Sequence, residues 1–405
     1  MLYIITFLYI FGFRIYSIID STILIGIILS ILMMFNKKYM QLFNKRISQK
    51  KTYRVIIAYL ILFCISCFAY FVGECCDFSY IKTLLHFLIV IIVGIEVVSY
   101  FDLKGKNAQI LNCILICFII QSFFQWTCYL FPSFSTLFNA FRSPEMLTKS
   151  IQYSGYRGIA LTQSGFFSLS SSYALIFILF FSDKNTLFKK PFIKYLFYIV
   201  LISGTFFAGR TGYVGLLLVA ILLFRNFHNQ NYRISMKKII SVFLIIIIAG
   251  TLLINFAKNT RLSNIYNYTF QLINNYRNGN GFTSTSTDKL LDMYDRDIPT
   301  KTLLIGDGRY SDDGSYYMKT DVGYLRKIFY FGIFGLLASV FLQIAIINNG
   351  KIKYENIIIL LLLLILELKG DIIGLSIMVN SVIILYSYTD ETKIYGKNNY
   401  INDNL

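Results

Sequence analysis

Long apolar runs alternate with short polar segments along most of the 405 residues. An α-helix needs roughly 17–25 mostly apolar residues to cross the hydrocarbon core of a bilayer, and it bonds its backbone internally there. The predicted spans are residues 2–18, 20–36, 54–72, 80–101, 108–131, 158–182, 192–208, 211–226, 238–257, 320–347, 354–369 and 371–388. The pattern therefore predicts an all-α polytopic membrane protein with about 12 transmembrane helices.

One polar segment is much longer than the others and lies between the ninth and tenth predicted spans. Apolar residues at helical spacing in residues 261–277 predict an amphipathic helix on the membrane surface. Residues 284–288 are typical of a helix start. The predicted organisation is transmembrane helices 1–9 in 1–256, a large outer loop in 257–319, transmembrane helices 10–12 in 320–388, and a tail in 389–405.

Composition agrees with a membrane protein and excludes an ordinary soluble domain. Mean hydropathy is +0.61 and only 15% of the residues are charged, against about 25% in soluble proteins. The net charge of +17 could suggest nucleic acid as a partner. However, many of the Lys and Arg residues stand next to spans, where they act as topology signals, so we expect no nucleic-acid binding.

The basic residues also predict the orientation in the membrane. Residues 36–54 contain seven Lys or Arg residues, and residues 183–194 and 225–238 contain four each. Alternation of the spans places these segments on one side, which the positive-inside rule makes cytoplasmic. Both termini are then cytoplasmic, and the long loop faces outward.

The sequence lacks the motifs that would predict a metal site or a nucleotide-binding site. Cys64-x-x-Cys67 has metal or redox spacing, but it lies inside a predicted span, where Cys usually packs as a small hydrophobic residue. Cys75 and Cys76 lie in a short predicted outer loop, and the sequence leaves a disulfide there as an open alternative. The sequence has no cluster with metal-ligand spacing and no phosphate-binding Gly-x-x-x-x-Gly-Lys loop, so we expect no metal and no cofactor.

Three arginines are predicted at the outer face of the membrane. Arg157 begins the sixth span, Arg210 lies in the turn between the seventh and eighth, and Arg309 follows Gly306-Asp307-Gly308. A guanidinium stays charged and offers a planar fork that suits phosphate oxygens. The alternative is a basic side chain that reaches the lipid head groups. The tight turn around Arg210 favours a phosphate site.

Asp321 is the acid–base candidate because it opens the tenth span at the same face. Its carboxylate could accept a proton from a hydroxyl. It could also cap the helix, and the two roles are compatible. The alternative carboxylates in the loop are Asp307, Asp312 and Asp313. Two intramembrane carboxylates, Glu96 and Glu367, are expected to pair within the helix bundle.

The order of the short motifs resembles the O-antigen and capsule polymerases of the Wzy type and the related O-antigen ligases. The motifs are Tyr156-Arg157-Gly158, the Gly-Arg-Thr-Gly turn at 209–212, Thr320-Asp321-Val322-Gly323-Tyr324, and Phe-Gly-Ile-Phe-Gly at 331–335. This resemblance implies a GT-C-like glycosyltransferase in a bacterial inner membrane. The ligases carry a histidine at the place comparable to Asp321.

The activity implied by the resemblance is polysaccharide polymerisation. A growing glycan would pass from undecaprenyl diphosphate onto the non-reducing end of a new lipid-linked oligosaccharide repeat unit at the outer face. Arg157 and Arg210 would hold the diphosphate, with Arg309 as a third ligand, and Asp321 would activate the acceptor. The implied partners are the lipid-linked oligosaccharide, a chain-length regulator and a flippase. An O-antigen ligase and a lipid-linked oligosaccharide flippase or transporter are the alternatives.

Overall fold

The computed structural model describes residues 1–15, 19–73, 77–153, 158–181, 191–228, 263, 267–268, 270–279, 281, 283–312, 315–348 and 353–389. Several predictions concern other residues. The ninth span, Arg157, Asp313 and the Cys75–Cys76 pair lie outside the described residues, as does nearly all of the predicted tail.

The described chain is helical almost throughout. The α-helices are α1 (Leu2–Phe11), α2 (Ser21–Phe35), α3 (Lys37–Ile47), α4 (Lys50–Val72), α5 (Ser79–Leu103), α6 (Ile110–Leu130), α7 (Pro132–Asn139), α8 (Pro144–Gln152), α9 (Phe166–Phe180), α10 (Pro191–Ala208), α11 (Val214–His228), α12 (Gln271–Arg277), α13 (Thr285–Tyr294), α14 (Thr300–Ile305), α15 (Gly323–Ile347), α16 (Tyr354–Glu367) and α17 (Ile377–Thr389). The strands β1 (Arg14–Ile15), β2 (Ile19–Asp20), β3 (Ser311–Asp312) and β4 (Ser315–Tyr316) have two residues each. The all-α class is confirmed.

Several described helices are long and apolar enough to cross a membrane. They are α4, α5, Asn107–Leu130 (which includes α6) and α15. The bent pair of α2 and α3 makes a fifth if it is counted as one span. Shorter apolar helices stand at other predicted spans, such as α9 with 15 residues and α17 with 13. The protein is membrane-embedded, and the total of twelve spans stays a prediction.

The chain forms two compact units, and each is considered by itself. The first contains Met1–Gly12, Ile19–Ile114 and Lys289–Leu405. Within it, α15 packs against α4 and α14, while α2, α3 and α17 pack against α5. The second unit contains Phe13–Ile18 and Leu115–Asp288, and its α9 packs against α10, α11 and the 3-10 turn Arg210–Tyr213.

Two predicted spans have different bounds in the structure. The first ends at Phe11 instead of residue 18, because Gly12 takes a left-handed conformation with φ 51°. The sixth begins at Phe166 instead of residue 158. There the carbonyl oxygens of residues 158–160 accept hydrogen bonds of 2.7–2.9 Å from the side chains of Gln125, Gln121 and Arg142. The helix therefore starts only after this bonded segment.

Helix α15 is broken inside the predicted tenth span. Residues 331–332 leave the helical conformation, with φ −135° at the first and φ 69° at the second. Such a break leaves carbonyl oxygens of the preceding turn without helical donors. Asp307 N donates to Phe329 O at 2.7 Å, and Gly308 N donates to Tyr330 O at 3.0 Å. The end of the long polar loop is therefore inserted into the break.

Glycines allow this close approach of two backbone segments. A Cβ at Gly332 would lie 2.2 Å from the carbonyl oxygen of Leu304, and one at Gly306 would lie 2.4 Å from that of Tyr330. Both glycines also have positive φ, which side-chain-bearing residues rarely adopt. The Gly306-x-Gly308 motif and the Phe-Gly-Ile-Phe-Gly motif thus meet at one junction in the first unit.

Candidate functional site

A serine of α9 bonds the turn that carries Arg210 at two points. Gly209 has φ 147°, and the 3-10 turn Arg210–Tyr213 follows it. The hydroxyl of Ser170 donates to Gly209 O and accepts from Gly212 N, both at 2.7 Å. A Cβ at Gly212 would meet Thr205 at 2.4 Å, so this tight approach depends on glycine. The turn is therefore held firmly against its own unit.

The guanidinium of Arg210 is oriented by a hydroxyl group and an aromatic ring. Its Nη2 donates to Ser286 Oγ at 2.7 Å, and its Cζ lies 4.7 Å from the ring centroid of Tyr268. Nη1 is buried and has no hydrogen-bond partner among the described residues. A half-buried arginine with an open donor and no carboxylate contact in the described chain is suited to bind an anion.

The backbone that follows the other proposed phosphate ligand lies near this turn. Arg157 itself is outside the described residues. The next residue, Gly158, donates from its amide to Phe207 O at 3.1 Å, and its own carbonyl accepts from Gln125. Phe207 precedes Arg210 by three residues. Two motifs that are about 50 positions apart in the sequence are therefore adjacent in the second unit.

Arg309 belongs to the first unit and has a different environment. Its guanidinium carbon lies 5.4 Å from the ring centroid of Tyr317. The hydroxyl of Tyr317 donates in turn to Asp307 Oδ2 at 3.4 Å. Arg309 therefore contacts its own loop, and the common outer face expected for the three arginines stays a prediction.

Asp321 does not cap α15, so that interpretation is wrong. The helix begins at Gly323, and the cap residue Val322 supplies no side-chain hydrogen bond. Asp321 reaches the surface, but the protein removes part of its hydration. This desolvation raises the pKa of the Asp321 carboxyl, while the charges of Lys369 and Arg326 oppose the rise. A raised pKa makes the carboxylate a better proton acceptor than a capping carboxylate would be.

A buried ion cluster is formed by Arg326, Lys327, Glu367 and Asp371. The ammonium of Lys327 is fully buried and contacts the carboxylates of both Glu367 and Asp371. The second oxygen of Glu367 accepts from Ile372 N and Ile373 N, each at 2.8 Å. The predicted pairing of Glu367 within the helix bundle is thus confirmed, and its partner is a lysine of α15.

Arg326 is held between two aromatic rings of the polar loop. Its Cζ lies 3.8 Å from the ring centroids of both Tyr310 and Tyr316, and its Nη1 lies 4.0 Å from Asp371 Oδ2. The hydroxyl of Tyr310 donates to the same oxygen at 2.8 Å. Cation–π contacts of this kind stabilise a desolvated guanidinium. Two cations and two anions balance in this cluster, so it fastens the loop to α15 and has no excess charge for an anionic ligand.

A second carboxylate fastens the same loop to α5. Asp77 Oδ2 accepts from Tyr310 N and Ser311 N at 2.7 Å each, and its Oδ1 accepts from Ser79 N at 2.9 Å. Burial alone would raise the pKa of Asp77, but these hydrogen bonds outweigh burial and lower it. Asp77 is therefore a structural anion that holds the loop.

Sequence reasoning missed most of the residues that organise the first unit. It singled out neither Arg326 and Lys327 nor Asp371 and Asp77 as site residues. A signal was present, since two consecutive basic residues inside an apolar span are costly unless they have partners. The partners of Lys327 lie 40 and 44 positions away, and the local pattern cannot identify them.

The remaining residues that the sequence singled out are Glu96, Cys64 and Cys67. Glu96 accepts a hydrogen bond of 2.8 Å from Ser30. Cys64 and Cys67 are free thiols. Over the part of the chain that the structure describes, no three His, Cys, Asp or Glu side chains come together as potential metal ligands.

Comparison of the chain with known protein families, with curated proteins and with solved structures gave no match.

Proposed function

We propose that this protein is a membrane glycosyltransferase of the polysaccharide-polymerase type. It would transfer a growing glycan from undecaprenyl diphosphate onto a new lipid-linked repeat unit at the outer face of a bacterial inner membrane. The observation that carries the proposal is the geometry of Arg210, whose oriented guanidinium has one buried donor without a hydrogen-bond partner among the described residues. Such a site suits the diphosphate of a lipid carrier. The GT-C-like fold and the cytoplasmic termini are part of the same proposal.

Arg210 supplies electrostatic stabilisation to the leaving group in this proposal. As the bond between the anomeric carbon and the diphosphate oxygen breaks, negative charge grows on the diphosphate. A donor that is already oriented by Ser286 and Tyr268 needs little reorganisation to bind that charge. Arg157 is proposed as a second ligand, because the segment after it is bonded next to the Arg210 turn.

Asp321 is proposed as the general base. The acceptor hydroxyl of the incoming repeat unit attacks the anomeric carbon, and its proton passes to the carboxylate. The new glycosidic bond replaces the bond to the diphosphate, which departs on its carrier. The exposed position of Asp321 and its raised pKa support this role. Asp307 is less suited, because its carboxylate already accepts hydrogen bonds from Thr302 and Tyr317.

An apolar groove on the first unit supports the proposal that the substrate is linked to a lipid. It has a volume of about 290 Å³ and is lined by Cys64, Ile65, Phe68, Leu304, Ile305, Phe331 and Phe334. Two of the elements that line it, α4 and α15, are candidate membrane spans. An apolar groove on such helices suits a hydrocarbon chain. The polar end of the loop begins at Gly306, immediately after the groove residue Ile305.

The test is complementation of a gene deletion, with the surface polysaccharide resolved by size. The wild type, Arg210→Ala, Arg210→Lys and Asp321→Asn are compared with Arg277→Ala, an exposed arginine in the same unit as Arg210. A polymerase gives a ladder with the wild type and the control, and single repeat units with Arg210→Ala and Asp321→Asn. Arg210→Lys should restore little, because an ammonium lacks the planar fork.

Two other outcomes would replace the proposal. Polymer that accumulates on the lipid carrier, without transfer to its final acceptor, would indicate a ligase. Single lipid-linked units that accumulate on the cytoplasmic side would indicate a flippase.

A further inference from the structure

Helix α3 leaves the membrane bundle at a fixed angle. Its axis turns by 118° from that of α2, with only Asn36 between the two helices. If α2 runs along the bilayer normal, α3 lies within about 30° of the membrane plane. The Asn36 side chain caps α3 by accepting from Tyr39 N at 3.0 Å. The turn is therefore built into the local structure.

One face of α3 is anchored to the first unit. Tyr39 is 1% exposed, and its hydroxyl donates to Glu96 O at 2.9 Å. Arg46 is 4% exposed; it pairs with Asp102 at 2.8 Å and donates to Tyr388 O at 3.2 Å. These contacts fix the rotation of the helix about its axis, and they determine which side chains face outward.

The opposite face of α3, together with the start of α4, is strongly cationic. Lys37, Lys38, Lys50 and Arg54 are exposed; we call these four side chains the α3 surface. No Asp or Glu occurs from residue 21 to residue 73. The positive charge of this surface is therefore not balanced by acidic residues of its own segment.

Exposed apolar side chains accompany the cations. Met34 is 80% exposed, Phe35 is 87% exposed and Met40 is 51% exposed. They stand at the junction of α2 and α3, where an apolar helix meets a basic one. A helix that lies in the membrane interface has this arrangement, with apolar residues toward the hydrocarbon and cations at head-group level.

We propose that the α3 surface is a docking site for anionic phospholipid head groups. The four cations bind lipid phosphates, while Met34, Phe35 and Met40 enter the adjacent hydrocarbon. The surface is positively charged and its segment contains no acidic residue, so it complements anionic head groups. With α2 along the bilayer normal, helix α3 is held close to the membrane plane, as binding to a leaflet surface requires. An acidic protein would match the charge, but it would leave the apolar residues beside it in water. The inference does not depend on the proposed glycosyltransferase activity.

The test measures lipid selectivity of the purified full-length protein. Phosphatidylglycerol and phosphatidylcholine are supplied in equal amounts in mixed micelles, and the lipids retained after size exclusion are quantified by mass spectrometry. The variant is Lys37→Gln/Lys38→Gln/Lys50→Gln/Arg54→Gln. The matched control replaces four exposed lysines elsewhere by glutamine: Lys149, Lys289, Lys301 and Lys319.

We expect the wild type and the control to retain phosphatidylglycerol preferentially. The preference of the α3 variant should be at least about tenfold smaller, because each cation near an anionic surface contributes roughly fivefold in affinity. High salt should weaken the wild-type preference. No preference in the wild type, or an equal loss in the control, would overturn the proposal. If the quadruple variant aggregates, Lys37→Gln/Lys38→Gln and Lys50→Gln/Arg54→Gln are tested separately, and each should lose part of the preference.

Discussion

The ammonium of Lys327 contacts the carboxylate of Glu367 at a place where neither side chain is exposed to solvent. Asp371 contacts the same ammonium, and Tyr310 donates to Asp371. A buried cation of this kind is costly unless its partners stay in place. The contact therefore couples three parts of the first unit: the start of α15, the connection between α16 and α17, and the polar loop.

Removing the buried cation should strongly destabilise the protein. Lys327→Met leaves the carboxylates of Glu367 and Asp371 without their common partner, and breaking a buried pair costs about 3–5 kcal/mol. The unfolding temperature in detergent is the measurement, and Lys301→Met, at an exposed position, is the control. Adding Glu367→Gln and Asp371→Asn should recover part of the loss. Equal unfolding temperatures for Lys327→Met and the control would contradict a structural role for the cluster.

The junction between the polar loop and the break in α15 should not tolerate a side chain. Gly332→Ala places a Cβ 2.2 Å from Leu304 O, at φ 69° and ψ −167°, a region that is almost exclusive to glycine. We expect a loss of at least about 2–3 kcal/mol in unfolding free energy. Gly105→Ala is the matched control, because φ there is 64° but no atom lies within 4 Å of the added Cβ; it should cost about 1–2 kcal/mol. If both variants unfold alike, the close approach at Gly332 contributes nothing.

Asp77 should make stability depend on pH in the acidic range. Its pKa is lower in the folded protein than in the unfolded chain, where it is about 3.9. The carboxylate therefore contributes its full stabilisation above that value, and the contribution is lost as the pH falls through the folded pKa. Asp77→Asn should destabilise the protein at neutral pH and show a smaller difference from the wild type in acid. Exposed Asp292→Asn serves as the control, and a difference for Asp77→Asn that is constant with pH would refute the assignment.

If Asp321 is the general base, Lys369 should keep the pKa of its carboxyl lower than it would otherwise be. The positive charge of Lys369 opposes the rise in the pKa of Asp321 that its partial desolvation causes. Lys369→Met should therefore raise this pKa further and move the acidic limb of the activity profile to higher pH. Polymer formed by membranes across a pH series is the measurement. Reduced activity with an unchanged acidic limb would show that Lys369 is only structural.

The apolar pattern predicted the central helices well. Spans expected at 80–101 and 108–131 correspond to α5 at Ser79–Leu103 and α6 at Ile110–Leu130. Local information is sufficient here, because a long apolar run in hydrocarbon must satisfy its backbone within one segment. The span expected at 54–72 starts earlier, at Lys50, since the basic residues before it continue the helix.

The candidate site was only partly predictable. Sequence motifs singled out Arg210, and the structure adds the groups that orient it, Ser286 and Tyr268. Asp321 was also singled out, and the capping role considered for it beside proton transfer is wrong, because α15 starts two residues later without a side-chain cap. Capping geometry depends on where the preceding loop leads the chain, and that loop is bonded to α5 through Asp77.

The sequence by itself determined that this chain is a helical membrane protein, because hydropathy and backbone hydrogen bonding act over a single segment. It also marked the glycines and arginines of the short motifs. Only the tertiary structure decided that α15 breaks at Gly332, that Arg326 lies between Tyr310 and Tyr316, and that Lys327 pairs with Glu367 and Asp371. These features depend on contacts between segments far apart in the chain, whose energies appear only when the segments are brought together.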